Sequence, residues 1–261
     1  MDRFDRAGRS FASLCRIMAR LRAPGGCPWD REQTFASLRP YLIEEAYETL
    51  EAMQAEDPAA HCEELGDLLL QIVFQAEIAN ERGDFDAAKV ADGISEKLQR
   101  RHPHVFGDDP AENVAGAWVR WEQSKAKERP DKASRLDGIP TSMPALLWAT
   151  RVGQKAASIG FDWPDAAGVS DKVKEEWDEL LCAIAAGDEQ AMEEELGDLL
   201  LTLTSLGRHL EIDPESALRA AITKFSRRFR HVEADLVGVE NPLSISIDHL
   251  EELWQKAKLV K

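Results

Sequence analysis

No stretch of this 261-residue chain approaches the roughly 18 to 20 consecutive apolar residues that a bilayer-spanning helix needs. The opening Met1-Asp2-Arg3-Phe4-Asp5-Arg6 is charged and lacks the apolar core of a signal peptide, so export is not expected. Cysteine is scarce. Cys15, Cys27, Cys62 and Cys182 form no C-x-x-C pair, so zinc is poorly served and the thiols read as the reduced thiols of a cytoplasmic protein. Basic residues are the minority, 32 against 48 acidic for a net charge of −16, which disfavours a general nucleic-acid binder or an anionic membrane surface. Nucleotides are not excluded, because a local metal and a few cations override the global field. Runs of alternating β-branched residues are almost absent as well, while apolar residues recur at three and four. The expectation is an all-α protein.

The helices can be placed coarsely. Leu38, Leu42, Ile43, Ala46, Tyr47 and Leu50 predict a helix that ends near Asp57-Pro58, where Asp57 as N-cap and Pro58 at the first position open the next. That second helix runs to about Gly83, and a third from Phe85 to about Arg101. The later part of the chain repeats the order: about Ser170 to Ala186, a break at Gly187-Asp188, a helix to about Leu210, and one opened by Asp213-Pro214 that reaches about Leu236. A last helix is capped by Ser246 or Asp248. The division expected is a domain over residues 1–110, a connector with one short helix near Trp118 and Trp121 over 111–140, and a second domain over 141–261, entered by a helix from Leu146 to Ser158.

Two domains are expected because one acidic segment is present twice. Glu63-Glu64-Leu65-Gly66-Asp67-Leu68-Leu69-Leu70 recurs letter for letter from Glu194 to Leu201, an offset of 131 residues that also carries Glu44, Glu45 and Glu48 onto Glu175, Glu176 and Glu179. Each half therefore has Glu-Glu-x-x-Glu followed at one spacing by Glu-x-x-Asp. Residues three apart on a helix share a face, so two helices joined by a short turn can present four carboxylates to one point. An acid-rich helix is ordinarily just a solvated face. The repetition argues otherwise, and so does the setting of Glu64 and Asp67 among Leu65, Leu68, Leu69, Ile72 and Val73, where acids without a partner are costly. Gathered carboxylates repel one another unless a cation neutralises them, and an all-oxygen set suits Mg²⁺ or Mn²⁺. A di-iron site would need Glu-x-x-His, which is absent. Lys-x-x-Arg-Arg is duplicated too, at Lys97, Arg100 and Arg101 and at Lys224, Arg227 and Arg228, so each half pairs hard-metal ligands with cations, the equipment of phosphoryl chemistry.

In these residues the chain resembles the MazG family of all-α nucleoside triphosphate pyrophosphohydrolases, in its tandem two-domain form. The likeness runs through Leu21-Arg22-Ala23-Pro24-Gly25-Gly26-Cys27-Pro28-Trp29-Asp30, both acidic motifs, His102-Pro103-His104-Val105-Phe106-Gly107, Gly160-Phe161-Asp162-Trp163-Pro164, Lys224-Phe225-x-x-Arg228-Phe229 and Trp254. The resemblance implies Mg²⁺-dependent hydrolysis of ribo- and deoxyribonucleoside triphosphates at the α–β bond, to monophosphate and pyrophosphate, by a homodimer. It implies metal ligands Glu45, Glu48, Glu64 and Asp67 in the first unit and Glu176, Glu179, Glu195 and Asp198 in the second. Glu44 and Glu175 are then candidates for a second metal or for orienting water, Lys224 and Arg228 for holding phosphates, and Trp254 or Trp163 for stacking on the base. The second unit is the expected main catalyst because its basic helix is longer and richer, although both units keep all the acids and differ little: Ala46-Tyr47 become Trp177-Asp178, and the third helices differ in spacing from Asp67 and Asp198. A nucleotide sensor without useful turnover, or a helical scaffold for a basic partner, stands as the alternative.

Overall fold

The structure, a computed structural model, describes residues 2–55, 57–107, 134–237, 241 and 244–260. Among the described residues every regular element is a helix, and none is long and apolar enough to cross a membrane. Compactness divides the chain into Met1–Pro130 and Asp131–Lys261. The short helix expected near Trp118 and Trp121 lies outside the described residues.

The first unit holds α1 (Arg3–Arg22), α2 (Pro28–Glu32), α3 (Arg39–Ala55), α4 (Pro58–Glu81), α5 (Ala87–Arg101) and α6 (Pro103–Phe106). Asp57 caps α4 by accepting from the amides of Ala59 at 2.9 Å and Ala60 at 3.3 Å, with Pro58 contributing a preset φ where no amide is needed. The core joins Met18 of α1 to Val73, Phe74 and Ile78 of α4 and to Leu38, with Phe11, Leu14, Phe35 and Leu70 packed around them. Each such side chain, fully buried, contributes about 1.5 to 3 kcal/mol. Arg22 locks the loop between α1 and α3. Its Nε and Nη2 each donate to the Glu81 carboxylate at 2.7 Å, and its Nη1 donates to the carbonyls of Asp30 and Gln33. In that loop Gly26 is obligatory, since a Cβ there would lie 2.1 Å from the Leu21 carbonyl oxygen.

The second unit holds α7 (Ala145–Ala157), α8 (Ala166–Ala186), α9 (Glu189–His209), α10 (Pro214–Asp235) and α11 (Ile247–Leu259). Helix α9 is the hub, packing against α7, α8 and α10. Gly187, at φ 70°, ends α8 in the left-handed conformation that glycine adopts without strain, and Asp188 at once caps α9 through the Ala191 amide at 3.1 Å. Ser246 caps α11 through the His249 amide at 3.3 Å. Helix α8 starts earlier than its periodicity suggests, because Asp165 caps it through the Gly168 amide at 2.9 Å.

One expectation about setting changes. Of the residues around Glu64 and Asp67, Val73 is buried but Leu65, Leu69 and Ile72 are exposed. The acids border an uncovered apolar face rather than a closed core.

Candidate functional site

The helical hairpin gathers the carboxylates in each unit. Glu45 and Glu48 lie one turn apart on α3, Glu64 on α4, and one oxygen from each of the three falls within 4.8 Å of the others. Helices α8 and α9 do the same with Glu176, Glu179 and Glu195. In the first unit the buried Thr49 ties the acid-bearing turns together, its hydroxyl donating to the Glu45 carbonyl at 2.8 Å and reaching the Glu64 carbonyl at 3.4 Å.

The electrostatics follow from this crowding. Burial, then the charges of Asp67, Glu48 and Glu64, push the Glu45 carboxyl above its ordinary range. Burial followed by Glu48 and Asp67 does the same to Glu64, and burial followed by Glu179, Glu176 and Asp198 does so to Glu195. Asp67 and Asp198 are thus outside the triplets but near enough to act on them. Glu44 and Glu175 are exposed and join neither triplet. Hard, mutually repelling oxygens that a cation would relieve fit a divalent metal such as Mg²⁺.

The same register offset brings two further positions into comparison. Where the first unit has Tyr41, the second has Lys172, whose ammonium lies 2.8 Å from Glu175 Oε1 and 2.8 Å from Glu176 Oε1. Those hydrogen bonds, first to Glu175 and then to Glu176, hold the ammonium above the usual lysine range. Where the second unit has Thr202, the first has Gln71, which is 5% exposed and slightly offsets the upward push on Glu45.

A cavity of about 460 Å³ adjoins the second acidic helix. Leu201 and Thr202, the next turn of α9 after Asp198, line it with Ser205, Arg208, Val152 and Gly153 and with Phe161, Asp162 and Trp163 of the loop before α8. Asp162 holds that loop: Arg208 donates to both its oxygens, at 2.7 and 2.5 Å, and His209 Nε2 lies 3.1 Å from Oδ1. The Arg208 bonds, with His209 assisting, draw Asp162 down to about 2. Lys224 and Arg228 share a face of α10, Lys224 exposed and Arg228 half-buried with its Nε buried and unpartnered. Trp254 of α11 packs on Phe225 at 5.0 Å between ring centres. Trp163 therefore faces a cavity, while Trp254 belongs to an aromatic cluster beside the basic helix.

The pattern described as the MazG nucleotide pyrophosphohydrolase domain matches this sequence twice, over residues 33–106 and 168–233. The chain belongs to the MazG family. It is similar to the nucleoside triphosphate pyrophosphohydrolase of Escherichia coli K12, 48% identical over 94% of this chain and 95% of that protein. It is also similar to the nucleoside triphosphate pyrophosphohydrolase/pyrophosphatase MazG of Thermotoga maritima, 47% identical over 97% of each. A nucleoside triphosphate pyrophosphohydrolase of Mycobacterium tuberculosis is 33% identical over 87% of this chain and 59% of its own length. The two matched segments contain both carboxylate triplets, and the second contains Lys224 and Arg228.

Sequence reasoning missed Lys172, Gln71 and the Asp162–Arg208 pair in this MazG chain. Lys172 had a signal, since lysine three and four residues before two glutamates on a helix is placed to bridge them. Asp162 and Arg208 are 46 residues apart, and no local pattern joins them.

Proposed function

We propose that this chain hydrolyses nucleoside triphosphates, ribo and deoxy alike, at the α–β bond to give monophosphate and pyrophosphate, with Mg²⁺ or Mn²⁺ as the metal. The observation that carries the reading is the pair of carboxylate triplets, each assembled by a helical hairpin inside a segment that matches the family. A relative of near-equal length bearing the pyrophosphohydrolase name supports it. The metal would be held by Glu176, Glu179 and Glu195, with Asp198, in the second unit, and by Glu45, Glu48 and Glu64, with Asp67, in the first. When bound, a divalent ion supplies Lewis-acid polarisation of phosphate and activation of water.

The chain's own residues do the rest. Glu175, exposed beside the triplet, orients water for in-line attack on the α-phosphorus. Lys224 and Arg228 carry the charge of the leaving pyrophosphate. The cavity takes the nucleoside, with Trp163 flanking the base and Trp254 as the alternative stacking ring. The second unit is the main catalyst in this reading, since the cavity and the basic helix are both there.

A homodimer accords with the uncovered faces. Leu181, Ile184, Leu196, Leu200 and Leu203 are all exposed, and so are Leu50, Met53, Leu65, Leu69 and Ile72 at the same five register positions of the first unit. Apolar stripes this regular are what a partner hairpin of a second chain covers.

The test is incubation with Mg²⁺ and each common ribo- and deoxyribonucleoside triphosphate, with products resolved by ion exchange. Monophosphate plus pyrophosphate is expected. Diphosphate plus phosphate, or binding without product, would replace the reading with that of a nucleotide sensor.

A further inference from the structure

The cavity in the second unit has two hydroxyls in its wall, and they differ in what already holds them. Ser205 donates to the Leu201 carbonyl, at a long 3.5 Å. Thr202 is only 6% exposed and lines the same cavity, yet among the described residues its hydroxyl has no hydrogen-bond partner, and its oxygen is not closed off by neighbouring atoms. A threonine within a helix ordinarily bonds the carbonyl four residues back, as Thr49 and Thr150 do here at 2.8 Å. Thr202 makes no such bond to Asp198. A hydroxyl this buried and left open is costly unless something entering the cavity completes it. The charged groups of the wall are already engaged, since Arg208 gives both terminal nitrogens to Asp162.

The place of Thr202 on α9 decides what meets it. It follows Asp198 by four residues, one turn and about 6 Å further along the helix from the carboxylates, with Ser205 and Arg208 further on still. A nucleotide whose phosphates lie at the acids and whose base enters the cavity has its pentose at that intervening turn. We infer that Thr202 reads the sugar, its hydroxyl bonding the 3′-hydroxyl, the one that ribo- and deoxyribonucleotides share. This rests on the reading of the cavity as the seat of the nucleoside. A hydroxyl both donates and accepts, so the pair forms with either partner as donor. A triphosphate lacking the 3′-hydroxyl leaves Thr202 unpaired, and a site built to bond a hydroxyl rejects the analogue without it more sharply than an apolar pocket rejects a missing methylene. At the same register position the first unit carries Gln71, so the contact belongs to the second unit.

The experiment is steady-state hydrolysis by the full-length protein with Mg²⁺, comparing pyrophosphate release from dTTP and from dideoxythymidine triphosphate, which differ only in the 3′-hydroxyl. The wild type should favour dTTP by roughly five- to twentyfold in kcat/KM, mostly through KM. In Thr202→Val, isosteric but without the hydroxyl, that ratio should fall to about one, and Thr202→Ser, which keeps the oxygen, should retain most of it. A loss equal on both substrates, as a merely structural role would give, overturns the inference. So does a wild type that does not distinguish the two, a result that needs no variant to fold. A preference for UTP over dUTP that Thr202→Val abolishes would move the contact to the 2′-hydroxyl and overturn the assignment made here. Pyrophosphate from no nucleoside triphosphate at all would overturn the proposed hydrolysis itself, and this inference with it.

Discussion

Replacing Asp162 by Asn should destabilise the second unit by an amount that depends on pH in a defined way. Arg208, with His209 assisting, lowers the Asp162 carboxyl from 3.8 to about 2. A depressed acid contributes stability that is fully present above its unfolded value and is lost as pH falls through its folded value, here between about pH 4 and pH 2. The shift of about 1.8 pH units corresponds to a ceiling of about 2.4 kcal/mol. Solvent reaches 20% of the side chain and screens the pair, so about 1 to 2 kcal/mol is the expected contribution at pH 7. For a unit of this size that is a fall of roughly 3 to 8 °C in Tm. Calorimetry of wild type and Asp162→Asn from pH 7 to pH 2 measures it: the gap between the two should be widest near neutrality and close as the wild-type Asp162 is protonated. A gap absent at pH 7, or one that stays constant down to pH 2, would refute the assignment. The same loop walls the cavity, so the variant should also raise KM for nucleotide more than it lowers kcat.

Three further outcomes follow from the geometry. Glu195→Ala should cut turnover about a hundredfold or more while Glu64→Ala leaves most of it, measured as pyrophosphate release; the reverse pattern would make the first unit the catalyst. Leu200→Glu combined with Leu203→Glu should halve the mass seen by light scattering without unfolding the hairpin, and an unchanged mass would show that this face is not what pairs two chains. Gly26→Ala should cost about 2 kcal/mol or more in chemical denaturation, because the added methyl meets the Leu21 carbonyl at 2.1 Å, backbone against which nothing flexible can yield.

The duplicated acids, the helical class and most helix ends were legible in the sequence because each is a local property: a repeat, a period, an Asp-Pro or Gly-Asp boundary. Helix α1 was legible in principle, since Phe11, Leu14, Met18 and Leu21 recur at three and four, but its role appears only when Met18 meets Val73 and Phe74 of α4. The cavity was not legible. Its walls come from α7, the loop before α8 and α9, and the pair that holds the loop spans 46 residues. Sequence placed Trp163 and Trp254 on an equal footing as stacking rings; tertiary packing separates them, one in a cavity wall and one against Phe225.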